Sequence, residues 1–124
     1  MTGKTILVVE DEGLIALHIM ELLDNTGYHV NGLAYSGEVV LRTLETSPHP
    51  DLILMDIGLS GQLDGIETAR QIRENYSIPL IFVTAYTSAL TCERMKEVAP
   101  EGVLIKPFLD EDLLALVKSA LART

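Results

Sequence analysis

The chain has 124 residues, 18 acidic against nine basic, and a formal net charge of −9. That length accommodates one domain, expected over residues 1–124 with a core from about 4 to 122, and a 48% hydrophobic composition argues against disorder. The acidity argues against nucleic acid or anionic lipid as a partner, and the single cysteine, Cys92, excludes an internal disulfide framework and a thiolate-built zinc site.

No apolar run is long enough to span a membrane. Met1 to Lys4 leads into a short apolar run and then Glu10, Asp11 and Glu12, which is not a signal-peptide pattern. A reducing, cytoplasmic setting is therefore the expectation. In chain order, Thr5–Val9 predicts a first strand, apolar on both faces. Leu14–Asn25 predicts a helix with Leu14, Leu17, Leu22 and Leu23 as its apolar stripe and Gly27 as its stop. Tyr28–Ala34 alternates and is more polar, as an edge strand would be. Ser36 can cap a helix over Val39–Glu45, which Pro48 and Pro50 end. Leu52–Met55 predicts the third strand, Gly65–Asn75 a helix, Leu80–Val83 the fourth strand and Ser88–Val98 a helix. Val103–Ile105 predicts the fifth strand. Leu113, Leu116, Val117, Ala120 and Leu121 then mark a last helix, with Asp110 ahead as its cap.

Strand then helix, five times, predicts an α/β fold: a parallel sheet with helices on both faces. Right-handed crossovers favour the flavodoxin-like strand order 2-1-3-4-5. In such a sheet ligands bind beyond the carboxyl ends of the strands. Glu10 and Asp11 follow the first strand, Asp56 the third, Thr84 the fourth, and Lys106 the fifth. Any one of these is by itself more simply a cap, a turn residue or a solvated side chain. Together they bring three carboxylates, a hydroxyl and an ammonium to one sheet edge. Carboxylates so close repel unless a cation joins them, and an all-oxygen set suits Mg²⁺. With a lysine and a hydroxyl beside it, that constellation suits phosphoryl transfer.

Leu7-Val8-Val9-Glu10-Asp11-Glu12, Met55-Asp56, Asp64-Gly65, Val83-Thr84-Ala85 and Lys106-Pro107-Phe108 stand in an order and spacing that resembles the receiver domain of two-component response regulators. The resemblance covers Lys4 to about Ala122. It implies that Asp56 is a phosphoacceptor, taking its phosphoryl group from a histidine kinase or histidine phosphotransfer protein. It implies Mg²⁺ (or Mn²⁺) on Asp11 and Asp56, with Glu10 acting through water and the backbone carbonyl of Gly58 adding an oxygen. Lys106 would hold a phosphoryl oxygen, and the Thr84 hydroxyl would swing toward the phosphoryl group. The domain would catalyse its own phosphorylation and dephosphorylation without being a turnover enzyme. A cis Lys106–Pro107 peptide is part of the pattern. So are an output partner, which the sequence does not name, and a homodimer through the face formed by the fourth helix, fifth strand and fifth helix.

Three positions depart from the family pattern. Val103 stands where an aromatic partner of the threonine is frequent, leaving Tyr86 or Phe108 as substitutes. The loop from Asp56 to Asp64-Gly65 is one residue longer than the commonest pattern, with Ser60 where proline is frequent. Gly58 offers no side chain beside the phosphoryl group; since in receivers this position and that of Tyr86 flank the approach of a hydrolytic water, the resemblance implies slow self-dephosphorylation. A receiver-like module that binds proteins without phosphorylation is the alternative, and the retention of all five site positions speaks against it.

Other motifs fail on context. Asp56 to Glu67 imitates a calcium-binding EF-hand loop, but Pro48 and Pro50 forbid the helix that must precede it. A dehalogenase-type phosphatase needs an acid where Gly58 stands. Gly3-Lys4-Thr5 lacks the earlier glycine of a P-loop, and Gln62 breaks a G-x-S-x-G elbow. His18, His29 and His49 sit at no ligand spacing. The chain ends just after the fifth helix, so no effector domain is expected within it.

Overall fold

The computed structural model describes residues 3–85 and 87–122. Its elements run β1 (Thr5–Val9), α1 (Gly13–Asn25), β2 (His29–Ala34), α2 (Gly37–Thr46), β3 (Leu52–Met55), α3 (Gly65–Asn75), β4 (Leu80–Thr84), α4 (Ala89–Val98), β5 (Gly102–Ile105) and α5 (Asp110–Ala122). All strand pairs are parallel, in the order β2-β1-β3-β4-β5. This is the expected flavodoxin-like α/β architecture. The central strands bury both faces because successive side chains alternate between two cores. Leu7, Val9, Ile53, Met55, Leu80 and Phe82 face α2, α3 and α4. Ile6, Val8, Leu52, Leu54, Ile81 and Val83 face α1 and α5.

The helix ends follow the local chemistry. Ser36, Asp64 and Ser88 accept the N–H three residues on, capping α2, α3 and α4. Gly27, at φ +98°, ends α1, with the Gly27 and Tyr28 amides closing on Asp24 and Leu23. Ser47, held extended before Pro48, ends α2. Lys106–Pro107 is the cis peptide bond among the described residues.

Two helical readings change. The buried face of α1 is Ala16, Ile19 and Leu23, while Leu14 is 86% exposed and Leu17 is exposed too. Leu23 is buried and Leu22 packs against the core as expected, but leucines lie all round this helix, so their spacing alone also placed Leu14 and Leu17 on the buried face. Asp110 is the first residue of α5, not its cap. The Asp112 and Leu113 amides bond to the Leu109 carbonyl instead, and the Asp110 carboxylate lies 2.8 Å from His18 Nε2.

Gly65 joins the fold to the sheet edge. A Cβ there would lie 1.9 Å from the Asp56 carbonyl oxygen, and the Gly65 amide donates to the Ile57 carbonyl at 2.8 Å. Helix α3 therefore begins against the backbone of Asp56. Gly65→Ala must push the two apart, and urea unfolding should show a loss of about 3 kcal/mol with the m-value unchanged.

Candidate functional site

The polar residues beyond the strands are fixed by continuation of the sheet ladder. The Glu10 amide donates to Ala34 at 2.9 Å, the Asp56 amide to Val9 at 3.0 Å and the Lys106 amide to Thr84 at 2.9 Å. Each residue is thus held by one further bond to the neighbouring strand, and its side chain is delivered to the same edge.

Their side chains meet there. Lys106 Nζ donates to Glu10 Oε1 at 2.6 Å and to Asp56 Oδ2 at 2.9 Å. Asp56 Oδ1 accepts its neighbour's amide, Ile57 N–H, at 2.7 Å. Glu10 Oε2 accepts the Glu12 amide at 3.2 Å. Glu10, Asp11 and Asp56 each bring a carboxylate oxygen within 4.8 Å of the others. Glu10 and Asp56 are buried, Asp11 is half-buried, and Thr84 at the end of β4 is fully buried. Gly58, half-buried, opens the loop after Ile57.

The electrostatics follow from burial. Burial first, then the Asp56 carboxylate, outweigh the Lys106 hydrogen bond and raise the Glu10 carboxyl to about 7. For Lys106, burial favours the neutral amine, but the hydrogen bonds and charges of Glu10 and Asp56 outweigh it and hold the ammonium above its ordinary value. One ammonium faces three carboxylates. The donor set, oxygens only and short of positive charge, fits a hard divalent ion such as Mg²⁺.

The structure joins Lys106 to Glu10 and Asp56, brings Asp11 within 4.8 Å of both acids, and puts Thr84 and Gly58 at the same edge. Position 103 carries a valine, 38% exposed, in place of an aromatic. Phe108 lies toward α1 instead, its ring 6.5 Å from that of His18. Tyr86 lies outside the described residues. A strand, not a helix, precedes the Asp56–Glu67 loop, so the EF-hand resemblance is coincidental.

Sequence reasoning missed three polar contacts around this edge. Ser60 donates to Asp11 Oδ2 at 3.3 Å. Glu38 accepts the Gln62 amide at 3.0 Å. Asp64, besides capping α3, meets Arg94 of α4 at 2.9 Å. None has a spacing signal, since each joins segments far apart in the chain.

Comparison with known proteins agrees with this geometry. Residues 6–118 match the family model described as the response regulator receiver domain. The chain is 31% identical over 120 residues to the transcriptional regulatory protein PdtaR of Mycobacterium tuberculosis, covering 97% of this chain and 58% of that protein. It is 33% identical over 117 residues to the phyllosphere-induced regulator PhyR of Methylorubrum extorquens, covering 94% of this chain and 43% of that one. The chain thus spans about half the length of these curated relatives. The crystal structure of the receiver domain of a modulated diguanylate cyclase from Desulfovibrio desulfuricans superposes with a TM-score of 0.90 at 35% identity, covering 98% of this chain and 95% of that one.

The raised Glu10 carboxyl has a sign that can be tested. Between its ordinary value of 4.5 and about 7, the folded protein holds a proton that the unfolded chain has released. That contribution to stability is full at low pH and fades as pH rises through this window. Glu10→Gln, which keeps the protonated shape, should therefore gain stability over the native protein as pH rises from 5 to 7.5 in metal-free buffer. Parallel melting curves would show the two diverging, and the gap should level off above about pH 8.

Proposed function

The chain belongs to the response regulator receiver domain family, and from that premise we propose that it is a Mg²⁺-dependent phosphoacceptor that takes a phosphoryl group onto Asp56 from a histidine kinase or histidine phosphotransfer protein. Receiver domains signal by phosphorylation and are not turnover enzymes on an external substrate. The observation that carries the reading is the Lys106 ammonium, 2.9 Å from Asp56 and 2.6 Å from Glu10, beside a cluster of carboxylates short of positive charge.

Asp11 and Asp56 would hold Mg²⁺ (or Mn²⁺) directly, Glu10 through water, and the Gly58 carbonyl would add an oxygen. The ion would offset the repulsion between the carboxylates and the incoming phosphoryl oxygens. An Asp56 carboxylate oxygen attacks phosphorus, forming an acyl phosphate. The P–N bond of the donor phosphohistidine breaks, and its electron pair returns to the imidazole ring. Lys106 moves from balancing Asp56 and Glu10 to holding a phosphoryl oxygen. The Thr84 hydroxyl, buried at the end of β4, would follow that charge.

The output side belongs to the same proposal. Leu90, Val103 and Ile105 leave apolar side chains exposed along α4 and β5, which supports an output partner or a homodimer through the α4–β5–α5 face. No helix among the described residues is long and apolar enough to cross a membrane. A single domain over residues 1–124, acting in the cytoplasm, completes the reading.

Incubation with acetyl phosphate and Mg²⁺ should raise the mass of the protein by one phosphoryl group, and Asp56→Asn should abolish the gain. Full labelling of Asp56→Asn would refute the assignment. A native chain that is never labelled, even by a kinase, would favour the unphosphorylated binding module. Lys106→Met should slow labelling about 100-fold, since it removes a preorganised cation from the developing charge. Phosphate release from the labelled protein should be slow. Gly58→Asn should speed it about tenfold by orienting water, and an unchanged rate would refute that role.

A further inference from the structure

Residues 58–64 join β3 to α3 and carry Gly58, and they are tied to helix α2 as well as to the sheet. Ser60 pairs with Ser36, the α2 cap, in an isolated parallel bridge. Glu38, in the first turn of α2, turns its carboxylate onto the loop, where Oε2 accepts the Gln62 amide at 3.0 Å. The Gln62 amide first, then its own and that of Leu63, hold the Glu38 carboxyl below its ordinary value. Gly61 sits at φ +95°, and a Cβ there would come within 2.7 Å of Glu38 Oε1. In the same turn α2 closes on α3 and the loop: a Cβ at Gly37 would lie 1.9 Å from Thr68 Oγ1 and 3.1 Å from the Leu63 Cβ. Within the same loop, the Ser60 hydroxyl donates to Asp11 Oδ2 at 3.3 Å.

These contacts form one path from a helix that contributes no metal ligand to a carboxylate that does. We propose that Glu38 is a positioning residue for the divalent cation: by accepting the Gln62 amide, it sets where Ser60 meets Asp11 and where the Gly58 carbonyl stands. Charge-assisted bonds to backbone amides are stronger than neutral ones, so a single carboxylate can fix a loop that would otherwise sample several shapes. Groups that orient metal ligands commonly change metal affinity by 10–100-fold when removed.

A simpler role for Glu38 is an acid in the first turn of α2, favourable to the helix dipole and near Arg42. The two roles separate on substitution. Glu38→Gln and Glu38→Ala remove the charge equally, but the glutamine amide oxygen can still accept the Gln62 amide. The dipole role predicts equal losses of melting temperature in both variants and no change in cation affinity. The positioning role predicts a graded loss of affinity, larger for alanine.

This inference rests on the proposed Mg²⁺ site, and the experiment tells the two apart. The full chain is titrated with MgCl₂ by calorimetry, and the Mg²⁺-induced shift in melting temperature is recorded, for the native protein, Glu38→Gln, Glu38→Ala and Ser60→Ala. We expect Kd for Mg²⁺ to rise about 10-fold in Glu38→Ala and about 3-fold in Glu38→Gln and Ser60→Ala. Phosphorylation by acetyl phosphate should need correspondingly more Mg²⁺ while reaching a near-native rate at saturation. A Kd in Glu38→Ala within twofold of native overturns the proposal. Should that variant fail to fold, a Kd within twofold of native in both Glu38→Gln and Ser60→Ala overturns it. A native protein that takes up no Mg²⁺ overturns the metal site itself, and this inference with it.

Discussion

One ammonium set against buried carboxylates is the constraint on which this structure depends. Lys106 reaches Glu10 and Asp56 together, 96 and 50 residues away in the chain. Neither acid could remain buried and ionised without it, because an unpaired charge in a low-dielectric site costs several kcal/mol. Yet one positive charge does not balance Glu10, Asp11 and Asp56, and the remaining deficit appears in the Glu10 carboxyl, raised to about 7 by burial and by Asp56. A proton, a divalent cation or a transferred phosphoryl group with its cation would each change that balance. Chemistry at this edge and stability of the fold are therefore linked through the same charges.

The parallel sheet makes such a site inexpensive to assemble. Every crossover returns the chain to the same end, so four strands deliver their following residues to one edge without a dedicated loop. The last ladder bonds, from the amides of Glu10, Asp56 and Lys106, fix backbone position before any side chain is considered. Gly65 adds the contact between α3 and the Asp56 carbonyl. Asp64 carries that contact outward, since its carboxylate both caps α3 and pairs with Arg94 of α4. Helix α4 buries only Met95 and Val98, so polar links hold much of its position. Arg73 supplies another at the far end, donating to the Ala99 carbonyl at 2.9 Å.

The sheet was legible because its strands are covered on both faces. Thr5–Val9 and Leu52–Met55 have the bounds that their apolar runs predict. The site was legible because strand ends are named by those runs, and Glu10, Asp56, Thr84 and Lys106 stand at them. Helix α1 was less legible: Leu14 and Leu17 look like core in sequence and lie exposed, while Ala16 and Ile19 are buried. Periodicity cannot choose a face when leucines occupy several. Asp110 shows the same limit at a helix start, where its carboxylate meets His18 instead of the first-turn amides. The ties from Ser60 to Asp11 and from Glu38 to Gln62 span 49 and 24 residues, so no local pattern signals them.

The central claim is that the carboxylate cluster is short of positive charge, which a proton can supply in part and a divalent cation more fully. The most direct measurement counts protons released when Mg²⁺ binds, by calorimetry at constant pH in buffers of different ionisation enthalpy. With Glu10 at about 7, Mg²⁺ should release about half a proton at pH 7 and almost none at pH 8.5. Binding that releases no proton at pH 7 would contradict the account.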